Sequence, residues 1–325
     1  MNLAGYHITI GNATDVGKVR VHNEDYMAHF DTGIGYCVIV CDGMGGHAAG
    51  EVASQNSIIS IQQFLQDPKN EDPDIPLVLK NAIEFANYQL KEMVNSNQEL
   101  KGMGTTCVLA LIKDDLLYTA HVGDSRIYLI RNASIKQITK DHSPVQNLVD
   151  NGVLTEEEAQ LSDKKNEILK AIGVFDKADP TVTETPIEIL ENDKILLCSD
   201  GLTAHVSKEL ILEIVQSGDD IQKISLKLTE QANEAGGSDN ITVQLIHYSG
   251  KPGSTKRRSS FRKALVVFIF LLIAGSFSFL IYKNNYLGKE PVKVKDNPGD
   301  TLKKLNDSLK LTPISIDKRS QPTKK

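Results

Sequence analysis

The sequence predicts an α+β fold built on antiparallel sheets and followed by one transmembrane helix. Three observations carry this. Apolar strand-like runs are joined by short polar turns, so neighbouring strands reverse direction. Helical stretches come in pairs and not after every strand, which argues against a parallel, Rossmann-type sheet. Ala264 to Tyr282 is a run of 19 residues without a charge. As a helix it would measure about 28 Å at ~1.5 Å per residue, close to the ~30 Å hydrocarbon core of a bilayer.

Taken in order, Tyr36 to Cys41 reads as a strand. Two long helices follow, Ala49 to Leu65 and Ile75 to Val94. The second carries Leu79, Ile83, Ala86, Leu90 and Met93 near a 3.6-residue period. Pro73 and Pro76 suit its start, and Asn95 to Asn97 its end. Thr106 to Ile112 and Leu116 to Val122 form a hairpin across Lys113-Asp114-Asp115, and the chain then turns at Gly123-Asp124-Ser125 into Arg126 to Ile130. Residues 142–180 are polar, with short helices expected near Thr155 to Leu161 and Asn166 to Ile172. A segment of this length reads as a lid or substrate-facing flap, or as a loop without a role. Strands Lys194 to Cys198 and Ile241 to Tyr248 close the domain, with a helix over Ile221 to Ala235 between them.

The chain has 36 Lys+Arg against 42 Asp+Glu, a net charge of −6, but the charge is unevenly spread. Residues 251–325 hold 17 basic and 5 acidic groups; residues 1–250 hold 19 and 37, a net −18. An acidic domain is a poor partner for nucleic acid and a better one for metal cations. The 40% hydrophobic content supports a sizeable core. Cys37, Cys41, Cys107 and Cys198 lie in apolar runs without a CxxC pair, as small core residues of a reducing compartment do. Met1 to Gly11 lacks the basic start and apolar core of a secretory signal.

Four segments follow: a globular domain over 1–250, a basic juxtamembrane linker over 251–263, a transmembrane helix over 264–282 and a tail over 283–325. Lys256, Arg257, Arg258, Arg262 and Lys263 precede the apolar run, and Lys283 and Lys289 follow more sparsely. The positive-inside tendency therefore places the globular domain in the cytoplasm of a single-pass cell-membrane protein. The tail is expected to be extracytoplasmic and disordered. Its Asn297-Pro298-Gly299-Asp300-Thr301-Leu302 faintly resembles the start of a lysin motif but lacks the rest.

Five aspartates stand in turns at or near the ends of apolar runs: Asp25, Asp42, Asp124, Asp200 and Asp239. Strand ends can aim short carboxylates at a shared point, where they repel one another and some stay protonated. Divalent cations relieve that conflict, and oxygen-only ligands favour Mg²⁺ or Mn²⁺ over Zn²⁺. The bland alternative is a set of turn and capping residues. Asp124 would then shape a hairpin and pair with Arg126, and Arg20 would be a surface ion-pair partner.

The turns also line up with a family. Thr14-Asp15-Val16-Gly17-Lys18-Val19-Arg20, Asn23-Glu24-Asp25 and Asp42-Gly43-Met44-Gly45-Gly46-His47 resemble the type 2C, metal-dependent serine/threonine protein phosphatases. Gly102-Met103-Gly104-Thr105-Thr106, Gly123-Asp124-Ser125-Arg126, Asp141-His142-Ser143, Ser199-Asp200-Gly201 and Gly237-Ser238-Asp239-Asn240-Ile241-Thr242 continue the resemblance in order, over roughly residues 5–248. It implies a four-layer α-β-β-α sandwich of two antiparallel sheets flanked by antiparallel helix pairs. It also implies a binuclear Mn²⁺/Mg²⁺ centre in the cleft between the sheets. Asp42 would bridge both ions and Asp200 and Asp239 would hold one. Glu24 or Asp25, with Asp25 favoured as the direct ligand, and the Gly43 carbonyl would serve the other, partly through water, and Asp124 would help bind a third, weaker ion together with Asp200. Arg20 would clamp the phosphate, and His47 is a candidate general acid. Here Met44 stands where eukaryotic members carry histidine. Leu161-Ser162-Asp163 and Lys170-Ala171-Ile172-Gly173 depart from the usual flap pattern.

The implied function is hydrolysis of phosphoserine and phosphothreonine in proteins, opposing a serine/threonine kinase at the same membrane, with no nucleic-acid partner. A signalling pseudophosphatase that binds phosphoproteins is the alternative from another class, and a two-metal nuclease a third.

Overall fold

The computed structural model describes residues 2–3, 7–45, 49–70 and 74–250. Segments 251–263, 264–282 and 283–325 lie outside the described residues. Among the described residues no helix is long and apolar enough to cross a membrane.

The chain runs β1 (Asn2–Leu3), β2 (Ile8–Asp15), β3 (Asp25–Thr32), β4 (Gly35–Met44), α1 (Ala49–Gln66), α2 (Ile75–Ser96), β5 (Gly104–Thr105), β6 (Cys107–Lys113), β7 (Leu116–Val122), β8 (Arg126–Arg131) and β9 (Ser134–Gln137). It continues through α3 (Pro144–Asp150), α4 (Glu156–Gln160), β10 (Thr181–Val182), β11 (Ile187–Glu188), β12 (Lys194–Cys198), α5 (Asp200–Thr203), α6 (Lys208–Val215), α7 (Ile221–Glu234) and β13 (Ile241–Tyr248). One sheet has the order β1-β2-β13-β12-β8-β9; the other has β10-β7-β6-β4-β3, with β11 also on β7 and β5 on the end of β4.

The strand period sorts side chains into layers. On β4, Cys37, Ile39 and Cys41 pack with α1 and α2, while Tyr36, Val38 and Val40 face the other sheet. On β12, Ile195 and Leu197 enter that same central layer, and Leu196 and Cys198 pack beneath α5 to α7. Three buried apolar layers between four layers of backbone make the α-β-β-α sandwich.

Local chemistry sets the helix starts. The Asp74 carboxylate accepts the Leu77 N–H at 3.2 Å, with Pro76 in the first turn of α2. A reciprocal capping box of Thr155 and Glu158 opens α4.

The structure departs from the sequence reading at four places. First, β4 runs on through Met44, so Asp42 lies within a strand and not beyond its end. The extension exists because β5 pairs with Gly43 and Met44, a long-range partner. Second, Gly123-Asp124-Ser125 does not join a hairpin: β7 and β8 belong to different sheets, and this turn crosses between them. Third, the second flap helix is absent. Ile172 instead exchanges backbone hydrogen bonds with Thr105 at 2.9 and 3.0 Å, extending the short β5 edge. Fourth, β2 and β3 escape a search for apolar runs. Asn12 on β2 is bonded by Gln222 of α7 and Gln244 of β13, so polar strand positions are satisfied by distant amides.

Candidate metal centre

Both sheets deliver carboxylates to one end of the sandwich. Asp25 opens β3 and is the cross-strand partner of Asp42 on β4. Asp124 sits in the crossing turn after β7, Asp200 opens α5 directly after β12, and Asp239 stands just before β13. Close backbone packing holds the last two together. A Cβ on Gly201 would lie 2.0 Å from the Asn240 carbonyl oxygen, so only glycine lets the Asp239 turn rest on α5.

A cleft of about 400 Å³ opens at this end. Glu24, Asp42, Gly43, Asp124, Asp200 and Asp239 line it, and Arg20 stands on its wall. The Arg20 guanidinium donates to Asp239 Oδ2 at 2.8 Å with half its side chain exposed. Asn166 and Ile168 reach the cleft from the flap. Asp25, the cross-strand partner of Asp42, is buried and outside the cleft lining. Ser199 Oγ donates to Asp25 Oδ2 at 2.8 Å, while Asp25 Oδ1 and Asp200 Oδ1 are buried without a hydrogen-bond partner. His47 lies outside the described residues.

The electrostatics follow from burial and like charge. Burial pushes Asp42 well above the usual carboxylate range, and Asp25, Asp200, Asp124 and Asp239 push it further. Burial lifts Asp25 to about 7, opposed by hydrogen bonds from Thr242 and Ser199 and reinforced by Asp200 and Asp239. Asp124 rises to about 8 through burial, then through Asp200 and Asp141. Asp200 rises through burial and Asp239, and Glu24 through burial, with Arg20 pulling it back. Among the described residues no three such side chains are drawn into a ready ligand cluster; they surround a shared cleft, as mutually repelling carboxylates do. Oxygen donors of this kind, two with orphaned buried atoms, fit hard divalent cations.

Several organising residues were not singled out in the sequence reading. Asn240 Nδ2 donates to the Val16 and His22 carbonyls, each at 2.9 Å, and its Oδ1 accepts the Glu24 N–H at 2.8 Å. One buried amide thus ties the Arg20 loop to the Asp239 turn. Thr106 brackets the Asp42 backbone: its N–H donates to the Asp42 carbonyl at 2.8 Å and its Oγ1 accepts the Asp42 N–H at 3.0 Å. Both residues stand inside the quoted motifs, but nothing local names their partners.

Arg126 does not pair with Asp124. Its Nε and Nη2 grip Asp141, at 3.0 and 2.6 Å. The 138–142 segment docks beside β8, its Ile138 N–H bonding the Ile127 carbonyl at 2.8 Å, and so brings Asp141 to Arg126. Asp141 is 9% exposed, so Arg126→Ala strands a buried carboxylate. The expected cost is about 3 kcal/mol of unfolding free energy, read by urea denaturation. His142 supports the crossing turn: its Nδ1 accepts the Gly123 N–H at 3.2 Å and its ring stacks on His121 at 4.6 Å. Burial, then His121 and Lys170, pushes this imidazole down to about 4, so it stays neutral at pH 7.

Comparison with known proteins agrees with this arrangement. The family model described as protein phosphatase 2C matches residues 32–148. The serine/threonine phosphatase stp of Listeria welshimeri is 37% identical over 240 residues, covering 72% of this chain and 93% of the relative. The crystal structure of the Mycobacterium tuberculosis serine/threonine phosphatase PstP/Ppp superposes with a TM-score of 0.67 at 37% identity, over 75% of this chain and 99% of that one. The catalytic domain of the phosphatase PstP in complex with two manganese ions is also 37% identical, with a TM-score of 0.65 over 74% of this chain and 97% of that one. The chain therefore belongs to the protein phosphatase 2C family, the metal-dependent serine/threonine phosphatases.

Proposed function

We propose that the chain hydrolyses phosphoserine and phosphothreonine in proteins with a pair of Mn²⁺ or Mg²⁺ ions, in the cytoplasm at the membrane face, against a serine/threonine kinase. The observation that carries this reading is the convergence of Glu24, Asp42, Asp124, Asp200 and Asp239 on one cleft with a guanidinium on its wall.

When bound, the two ions neutralise phosphoryl charge and lower the pKa of water at the site. Asp42, central to the carboxylates, is suited to both ions. Asp200 and Asp239 suit one; Glu24 or Asp25 with the Gly43 carbonyl suit the other. Glu24 lines the cleft and Asp25 is buried beside Asp42, so Asp25 acts on its neighbour or through water. Asp124 beside Asp200 suits a third, weaker ion. Arg20 supplies the planar two-point contact to a phosphate that lysine cannot copy. The four cysteines are buried, and burial raises Cys37 and Cys41 well above the ordinary range and Cys198 to about 12, so none serves as a thiolate nucleophile. A membrane anchor over 264–282 would raise the local concentration of membrane-bound phosphoproteins.

Purified protein is expected to release phosphate from p-nitrophenyl phosphate and from a phosphothreonine peptide when Mn²⁺ is present, and not to cleave DNA in a parallel assay. Nuclease activity without phosphatase activity would reverse the reading. Arg20→Ala is expected to raise KM about tenfold or more, the loss of a charge-assisted contact, with a smaller change in kcat. Unchanged steady-state constants would remove Arg20 from the site.

A further inference from the structure

Beside the metal cleft lies a second, larger cavity of about 580 Å³. The two adjoin: Asp124, Asp200 and Asn166 line both. The flap helices α3 and α4 form one side of the second cavity, and α5 and the start of α6 form the other.

Its charges are largely spent. Arg126 is held by Asp141 at 2.6 Å, Lys140 by Asp150 at 3.0 Å, and Lys208 of α6 by Glu156 of α4 at 2.6 Å. Lys165 makes no ion pair among the described residues, and Asp124 and Asp200 face the metal end. The walls therefore offer little net field to a charged guest. They do offer an apolar strip along the flap: Val145, Val149, Ala159 and Leu161. Leu161 is 86% exposed, the largest value among the exposed apolar side chains of the described domain, and it borders this cavity. A large apolar side chain left in water beside a cavity that adjoins a phosphate site gains by being covered.

We propose that this cavity is a subsite for the substrate polypeptide, taking one large apolar side chain within about three residues of the phosphoresidue, a reach of ~3.3 Å per residue. The inference deepens the proposed phosphatase function and rests on it. The occupant is the substrate itself because the cavity adjoins the cleft where the phosphate is read and shares three lining residues with it. Its volume admits side chains of an extended peptide and not a folded domain. The Lys208–Glu156 pair ties α4 of the flap to α6 beside the cavity.

The test uses the full-length protein with Mn²⁺ and three phosphothreonine peptides that differ only at one flanking position, Leu, Glu or Lys, moved in turn through the three positions on either side. The expected result is that kcat/KM is about tenfold higher for Leu than for Glu or Lys at one of these positions, the least that burial of a leucine side chain should give. Leu161→Asp should collapse that ratio to within about twofold, and Leu161→Met should keep it. Equal rates for the three peptides at every position, a preference for Glu or Lys, or a ratio that survives Leu161→Asp would each overturn the subsite. Wild-type protein inert toward both p-nitrophenyl phosphate and all peptides would instead overturn the phosphatase reading, and the subsite with it.

Discussion

Asp42→Asn is expected to lower kcat on p-nitrophenyl phosphate on the order of 10³-fold, ~4 kcal/mol of transition-state stabilisation, while making the metal-free protein more stable at pH 8. The two effects share one cause. Asp42 stands partly buried among Asp25, Asp124, Asp200 and Asp239, and all four raise its pKa in addition to burial. An amide removes a negative charge from that ring, which relieves repulsion but forfeits the carboxylate best placed for two cations. The Thr106 bonds to the Asp42 backbone are untouched, so the strand should keep its place. The linkage has a definite sign. A carboxylate whose folded pKa lies above its unfolded value of about 4 stabilises the fold while protonated, and that contribution fades as pH climbs. The gain from Asp42→Asn should therefore be small at pH 5 and larger at pH 8. Thermal unfolding in EDTA at the two pH values, beside steady-state rates with Mn²⁺, reads both arms. A variant that keeps its activity, or whose metal-free midpoint drops equally at both pH values, would remove Asp42 from the centre.

Chelation is the second large effect. EDTA is expected to lower phosphatase activity by at least about 100-fold, with recovery on adding Mn²⁺, because cations neutralise a phosphate dianion and acidify water. Among the described residues lining the cleft, Arg20 is the one lysine or arginine, and its charge is shared with Asp239. Stability should follow pH in opposite senses with and without metal. In EDTA, Asp25 and Asp124 hold protons up to about 7 and about 8 in the folded state, against about 4 when unfolded. The folded state then binds more protons than the unfolded one, so stability contributed by these groups declines from pH 5 to pH 8. Cations need the carboxylates ionised, so the rise in midpoint produced by Mn²⁺ should grow over the same interval. Differential scanning calorimetry at pH 5, 6.5 and 8 distinguishes these slopes. A manganese-induced shift that shrinks toward pH 8 would contradict the carboxylate centre.

Much of the fold was legible because much of it is local. β7, β12 and β13 have the bounds their apolar runs predict, and α1 and α2 end within two residues of expectation. Alternation and the 3.6 period are written in neighbouring residues, as are the Asp74 and Thr155 caps. β2 and β3 were illegible for the opposite reason. Asn12 looks like a loop residue until Gln222 and Gln244 arrive from more than two hundred positions away. The missing flap helix failed the same way: Ile172 is fully buried and bridges to Thr105, a contact that local propensity cannot weigh against a helical turn.

At the site, the motifs pointed to Asp42, Asp124, Asp200, Asp239 and Arg20, and all five line one cleft. The ranking of Glu24 and Asp25 was not readable from adjacent letters. Successive residues at a strand start face opposite ways, and here Glu24 lines the opening while Asp25 turns inward to Ser199.

By itself, then, the order of amino acids determined the class of elements, the acidic character of the domain and the identity of the oxygen donors, since composition, periodicity and turn chemistry act over a few residues. The tertiary structure alone decided which turn crosses between sheets, which carboxylate is buried outside the cleft lining, and that Arg126 answers to Asp141. Those outcomes depend on strand register and on burial, and both come into being only when segments far apart in the chain are packed against each other.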